Sequence, residues 1–143
     1  MGSPTQAWVN LDTVSTWSRI FDFGSGTSKY MFLTPLNATN GIRFEIKNGS
    51  AVRTIDGAAA IATGGWHHVA VTLDGTTGTL YVDGQQVGSN AVNIRPSQLG
   101  ATTQNWIGRS QWSSDPYLDG RVDDFRIYNR ALSAAEVTAV MNE

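Results

Sequence analysis

The chain of 143 residues predicts an all-β fold, an antiparallel two-sheet jelly-roll sandwich carrying a short C-terminal helix. Three observations carry that expectation: apolar and polar residues alternate with period two, Asp-Gly turns punctuate the alternating runs, and short runs of this kind recur at fairly even spacing. Period-two alternation gives a strand one apolar and one polar face, which suits a sheet packed on one side and wetted on the other.

Taken in order, Met1-Gly2-Ser3-Pro4 reads as a cloning scar. Residues 1–6 are therefore set aside as a tag remnant, leaving a single domain over 7–143. Ala7-Trp8-Val9-Asn10-Leu11 opens the first strand, and 18–23 and 29–34 supply two more. Ile42, Phe44 and Ile46 then alternate with Arg43, Glu45 and Lys47, so one face is apolar and the other charged. Val69, Val71 and Leu73 alternate with His68, Ala70 and Thr72 before Asp74-Gly75 turns the chain into Thr79-Leu80-Tyr81-Val82. A second turn at Asp83-Gly84 leads into Gln85-Gln86-Val87, completing a three-stranded meander. Residues 105–108 and 121–128 are the last candidate strands. Ser133 followed by Glu136 has the spacing of a capping box, in which each side chain satisfies an orphan backbone donor, and predicts one or two helical turns.

Composition narrows function. A net charge of −2 and a pI near 5.6 supply no positive field, and no Lys/Arg cluster occurs, so neither nucleic acid nor a membrane surface is an expected partner. The absence of cysteine removes disulfide and thiol chemistry. No apolar run reaches the length of a membrane span, and the N-terminus lacks a signal-peptide pattern, so an export signal would lie outside this chain.

The residues argue against an enzyme. Hydrolysis of a glycoside with retention needs two carboxyl groups about 5 Å apart. The glutamates are Glu45, Glu136 and Glu143, well separated, while Asp123 and Asp124 are adjacent and would face opposite sides of a strand. His67 and His68 are adjacent too, with no third ligand spaced to join them, so both read as structural strand positions. The aromatic residues say more, because sugar rings present apolar C–H faces that stack on flat side chains while their hydroxyls need polar partners. Trp8 and Trp66 sit at strand positions and are expected in the core. Trp112 and Tyr117 share the segment 108–120 with Arg109, Gln111 and Asp115, next to Trp106. Trp17, Arg19 and Tyr30 can join the same surface if strand order brings them close. The candidate ligand-binding set is thus Trp17, Arg19, Tyr30, Arg109, Gln111, Trp112 and Tyr117.

Two segments resemble a known family. Gly65-Trp66-His67-His68-Val69-Ala70-Val71-Thr72-Leu73-Asp74-Gly75, running on to Leu80-Tyr81-Val82-Asp83-Gly84, is similar to the central hairpin of laminin-G-like modules in the concanavalin A-like lectin/glucanase superfamily. Leu118-Asp119-Gly120-Arg121-Val122-Asp123-Asp124-Phe125-Arg126-Ile127-Tyr128, followed by Asn129-Arg130-Ala131-Leu132-Ser133, is similar to the closing strand and helix start of that family. The text of residues 17–24, 30–33 and 107–111 resembles modules attached to secreted bacterial arabinan- and xylan-degrading enzymes.

The resemblance implies a non-catalytic, extracellular carbohydrate-binding module that targets an attached glycoside hydrolase to plant polysaccharide. Its alternatives are a protein-interaction or adhesion module and a structural appendage packed on a catalytic domain. It also implies a structural calcium ion near Asp123. Family members begin with a further strand or two before the Ala7-Trp8 strand, and lack of that segment would uncover a sheet edge, the basis for expecting a homodimer.

Overall fold

A computed structural model describes residues 5–128 and 132–142. Among these, the chain runs through β1 (Thr5–Leu11), β2 (Phe21–Gly24), β3 (Lys29–Thr34), β4 (Arg43–Asn48), β5 (Ala51–Asp56), β6 (Trp66–Leu73), β7 (Thr77–Val82), β8 (Gln85–Ala91), a 3-10 turn (Pro96–Leu99), β9 (Gln104–Ile107), β10 (Gly120–Ile127) and α1 (Ala134–Met141). The strands form two antiparallel five-stranded sheets, ordered β10-β1-β6-β7-β8 and β5-β4-β3-β2-β9. This is the predicted sandwich with its C-terminal helix.

The alternation read from the sequence sets the inward faces. Val9, Leu11, Val69, Val71 and Leu80 of the first sheet meet Phe21, Leu33, Phe44, Ile46 and Ile55 of the second, all 2% exposed or less. Each such side chain gains about 1.5–3 kcal/mol from leaving water, which makes this seam the principal source of cohesion. At the helix start Ser133 Oγ accepts from Glu136 N, and Ser133 N donates to Glu136 Oε1 at 3.0 Å, so the capping box forms as predicted. Val137 then packs with Ala70, Tyr81 and Leu132 on the outer face of the first sheet.

Several local expectations change. Thr5 and Gln6, set aside with the N-terminal residues, are buried residues of β1 paired with both β6 and β10, so the strand starts before Ala7. The 18–23 strand shortens to β2 because the chain turns at 15–18, where Ser18 N donates to Ser15 O. β5 is a further strand without apolar alternation, since only Ile55 among its residues is buried. Residues 1–4 and 129–131, within the scar and the closing motif, lie outside the described residues.

Trp66 is 44% exposed, not core. The reason is parity: Val69, Val71 and Leu73 point inward, so Trp66, His68, Ala70 and Thr72 point outward. Trp8, on the same outer face, is half-buried with its ring edge-on to His68 at 5.3 Å. His68 itself is sealed under this layer, and its Nε2 lies 2.6 Å from Gln6 Oε1. Gln6 Nε2 in turn donates to Asp124 O, at the bulge where β10 slips register against β1 and Asp124 takes φ 51°. The adjacent histidines therefore face opposite ways, as expected, with His67 Nδ1 against Asp83 Oδ2 at 2.7 Å.

β1 is flanked on both sides, so no edge opens beside it. Among the described residues, the edge strands at one side of the sandwich are β9 and β10, one from each sheet. Ile107 (51% exposed) and Ile127 (54%) show there, above the partly buried Phe23, Val122 and Phe125.

Candidate functional site

The outer face of the second sheet is built by register. Trp106, Asp22, Phe32 and Glu45 align across β9, β2, β3 and β4, with Tyr30 and Lys47 two residues along the same face. Two loops fold over this row, one carrying Trp17 and Arg19, the other the segment 108–119 with Trp112 and Asp115. Together Trp17, Arg19, Tyr30, Phe32, Glu45, Trp112 and Asp115 line a concavity of about 250 Å³.

Its floor is an ion-pair cluster. Arg19 is 1% exposed; its Nε donates to Asp22 Oδ2 at 3.0 Å, one terminal nitrogen donates to Trp17 O at 2.7 Å, and the other lies 3.2 Å from Asp115 Oδ2. The guanidinium sits over the Phe32 ring, 3.8 Å from its centroid, with Trp17 and Trp112 rings at 5.9 and 5.7 Å. A planar guanidinium, weakly hydrated, suits such a stacked and paired position as lysine would not. Asp22 is wholly buried, and that burial pushes its carboxyl up to about 6 against the opposing pull of the Gln111 N–H and Arg19. Its Oδ1 has no hydrogen-bond partner among the described residues.

The walls are aromatic. Trp17 takes φ 67°, a left-handed conformation that costs a non-glycine residue of order 1 kcal/mol or more, while its N–H is held by Leu36 O at 2.8 Å. Trp112 stands edge-on to Tyr30 at 5.1 Å, and Tyr30 stacks on Phe32 at 5.6 Å. The Tyr30 hydroxyl donates to Glu45 Oε2, and burial together with that carboxylate raises the phenol above its ordinary value, so it remains a donor. Glu45 Oε1 is 3.5 Å from Arg43, which binds Asp56 Oδ1 at 2.7 Å. Ser110 Oγ donates to Asp115 Oδ2 at 2.7 Å and fixes the second loop.

Of the sequence-derived candidates, Trp17, Arg19, Tyr30 and Trp112 converge here, with Arg19 as floor. Gln111 braces the loop instead: its N–H donates to Asp22 Oδ2, its Nε2 to Gln104 O, and its Oε1 accepts from Gly26 N. Arg109 stacks over Trp106 at 4.2 Å and, with Tyr117 (71% exposed), lines a separate concavity of about 520 Å³ beside the β9 and β10 edges. Phe32 and Glu45 were not singled out as ligand contacts. The outward half of each alternating strand was the signal that could have found them, once β3 and β4 were known to be neighbours.

Asp123 is exposed and its Oδ1 accepts from Asp124 N at 2.8 Å; among the described residues no three acidic or imidazole side chains are grouped around it. Another concavity, of about 430 Å³, is walled by Ile42, Ala58–Ala62, Val82 and Val87 with His67 and Asp83 beside them. Its lining is aliphatic apart from His67 and Asp83, which are paired with each other at 2.7 Å. The 250 Å³ concavity combines stacked aromatic walls with fixed carboxylates and a phenol, a surface matched to a ring with one apolar face and several hydroxyls.

Comparison with known proteins places these features. Residues 5–138 match the family model described as the concanavalin A-like lectin/glucanases superfamily. Domain 4 of AbnA, a GH43 extracellular arabinanase from Geobacillus stearothermophilus solved with arabinotriose, is similar at 25% identity and TM-score 0.82, over 96% of this chain and 65% of that domain. The chain thus spans just under two thirds of that relative's length. The CBM40 of the Ruminococcus gnavus IT-sialidase, bound to α2,3 sialyllactose, is similar at 17% identity and TM-score 0.81, over 97% of this chain and 82% of the other. A SAP-like pentraxin from Limulus polyphemus shares the fold more loosely, at 15% identity and TM-score 0.63 over 97% and 69% of the two chains. No curated protein sequence matches the chain.

Proposed function

The chain belongs to the concanavalin A-like lectin/glucanases superfamily, and from that premise we propose that it is a non-catalytic carbohydrate-binding module that holds an attached glycoside hydrolase on plant polysaccharide outside the cell. The observation that carries this reading is the concavity in which Trp17 and Trp112 stand over a floor of Arg19 and Phe32, with Tyr30, Glu45 and Asp115 placed for hydroxyls. A binding role rather than catalysis is supported by the carboxylates themselves. Glu45 is held by Tyr30 and Arg43, and Asp115 by Arg19 and Ser110, so both are fixed in place as hydrogen-bonding walls of the concavity. The arabinotriose held by the arabinanase domain supports a pentose-rich plant glycan as the target.

Calorimetry and affinity electrophoresis against arabinan, xylan and their oligosaccharides test the reading. Binding is expected, and Trp112→Ala is expected to weaken it about tenfold, the worth of one stacked ring, with little change in the unfolding curve. Tyr117→Ala should leave binding intact if the concavity under Trp112 is the site. Uniform failure of the intact chain to bind any of these glycans would reject the proposal in favour of a protein-docking or structural appendage.

A second reading concerns assembly. The β9 and β10 edges and the exposed Ile107 and Ile127 support pairing with a second copy. In a two-fold antiparallel pairing of β10 with itself, one register sets Val122 against the partner copy's Ile127 and Asp123 against its Arg126, matching apolar with apolar and charge with opposite charge.

A further inference from the structure

Resting on the carbohydrate-binding reading, we infer that this pocket selects neutral glycans and rejects those bearing a carboxylate, such as uronates or sialic acid. The charged groups that face the cavity decide this. Glu45 and Asp115 reach its wall with side chains 14% and 19% exposed. Arg19, beneath them, has a side chain 2% exposed and spends its donors on Asp22, Asp115 and Trp17 O.

Arg43 stands at the rim near Trp17 but is bound by Asp56 at 2.7 Å and by Glu45. Four carboxyl groups (Asp22, Glu45, Asp56, Asp115) thus surround two guanidinium groups (Arg19, Arg43), and neither guanidinium offers a free two-pronged face to an incoming carboxylate. Lys47 shares the outer face beside Tyr30 but is not among the residues lining the cavity.

An acidic sugar would bring its charge against Glu45 and Asp115 while losing water, with no unpaired cation to compensate. Sugar hydroxyls are donors, and a carboxylate is an acceptor only, so a neutral sugar matches the same wall. The neighbour solved with sialyllactose shares the fold at 17% identity, which leaves the charge of the ligand to be set by each chain's own side chains.

The test is calorimetry of the intact chain at pH 7 with three probes: neutral arabino- and xylo-oligosaccharides, oligogalacturonate, and sialyllactose beside lactose. Neutral oligosaccharides are expected to bind at least about tenfold more tightly than acidic ones, with the gap widening at low salt, where like-charge repulsion is less screened. Glu45→Gln should narrow the gap. Acidic probes that bind as well as their neutral counterparts, or a gap indifferent to salt and to Glu45→Gln, would overturn the inference while leaving carbohydrate binding intact. Failure of every probe would instead remove the carbohydrate-binding reading on which it stands.

Discussion

The Arg19 guanidinium lies 3.8 Å from the centroid of the Phe32 ring, so one buried cation both packs on the sheet and ties two loops to it through Asp22 and Asp115. The aromatic walls depend on this tie, since Trp17 and Trp112 belong to the two loops that Arg19 joins. Arg19 is therefore a positioning residue beneath the aromatic walls of the concavity.

Removing that cation should be costly. Arg19→Met leaves Asp22 buried without a counter-charge and is expected to destabilise by about 3–5 kcal/mol in urea unfolding. The double variant Arg19→Met with Asp22→Asn should recover part of the loss, because it removes the orphaned charge. Equal losses in single and double variants would show that packing on Phe32, not charge pairing, is what Arg19 supplies.

Trp66 offers the contrasting case. With 44% of its surface exposed, Trp66→Ala should cost about 1 kcal/mol or less, whereas Phe44→Ala, from a fully buried position, should cost about 3–5 kcal/mol. Thermal unfolding of the two variants decides it, and a comparable loss at Trp66 would mean that the ring is packed more tightly than its exposure indicates.

The sheet pattern was legible because alternation is a local property: Ile42, Phe44 and Ile46 announce their inward face without reference to any other strand. The same rule, carried back from Val69 to Trp66, already points that tryptophan outward, and expecting it in the core gave residue type more weight than parity. The site was half legible. Trp17, Tyr30 and Trp112 declare themselves as aromatic residues near loops, but Glu45 enters only because β4 lies beside β3, and Arg109 and Tyr117 leave only because their part of the loop turns toward the β9–β10 side. Strand order is a non-local fact that one strand's periodicity does not contain. The fixing of Arg19 by Asp115 is likewise a contact between residues far apart in sequence.

Assembly through the β10 edge predicts a concentration-dependent dimer. Sedimentation should show it for the intact chain, and Ile127→Lys, at a position 54% exposed, should abolish it with little effect on folding. Amide exchange should slow along β10 as concentration rises. A single monomeric species across a wide concentration range would sink the proposal, and a dimer that survives Ile127→Lys would place its interface elsewhere.

The buried carboxyl predicts an unusual pH profile. Asp22 is raised from 3.8 to about 6 in the folded state, chiefly by burial. Between those values the native chain holds more protons at this site than the unfolded chain, so stability falls as pH rises. The contribution is fully present below about pH 4 and is lost on passing pH 6, by an amount on the order of 1–3 kcal/mol. His68 acts in the opposite sense: burial lowers its pKa below 6.5, so its share is present above that pH and is lost as pH falls. The two partly cancel in the intact chain, and the test is therefore a difference. Asp22→Asn cannot titrate, so the stability of the intact chain minus that of Asp22→Asn should decline from pH 4 to pH 6.5, with the His68 slope common to both. A difference that is flat over this range would mean that Asp22 stays ionised beside Arg19 throughout, and that ion pairing there outweighs desolvation.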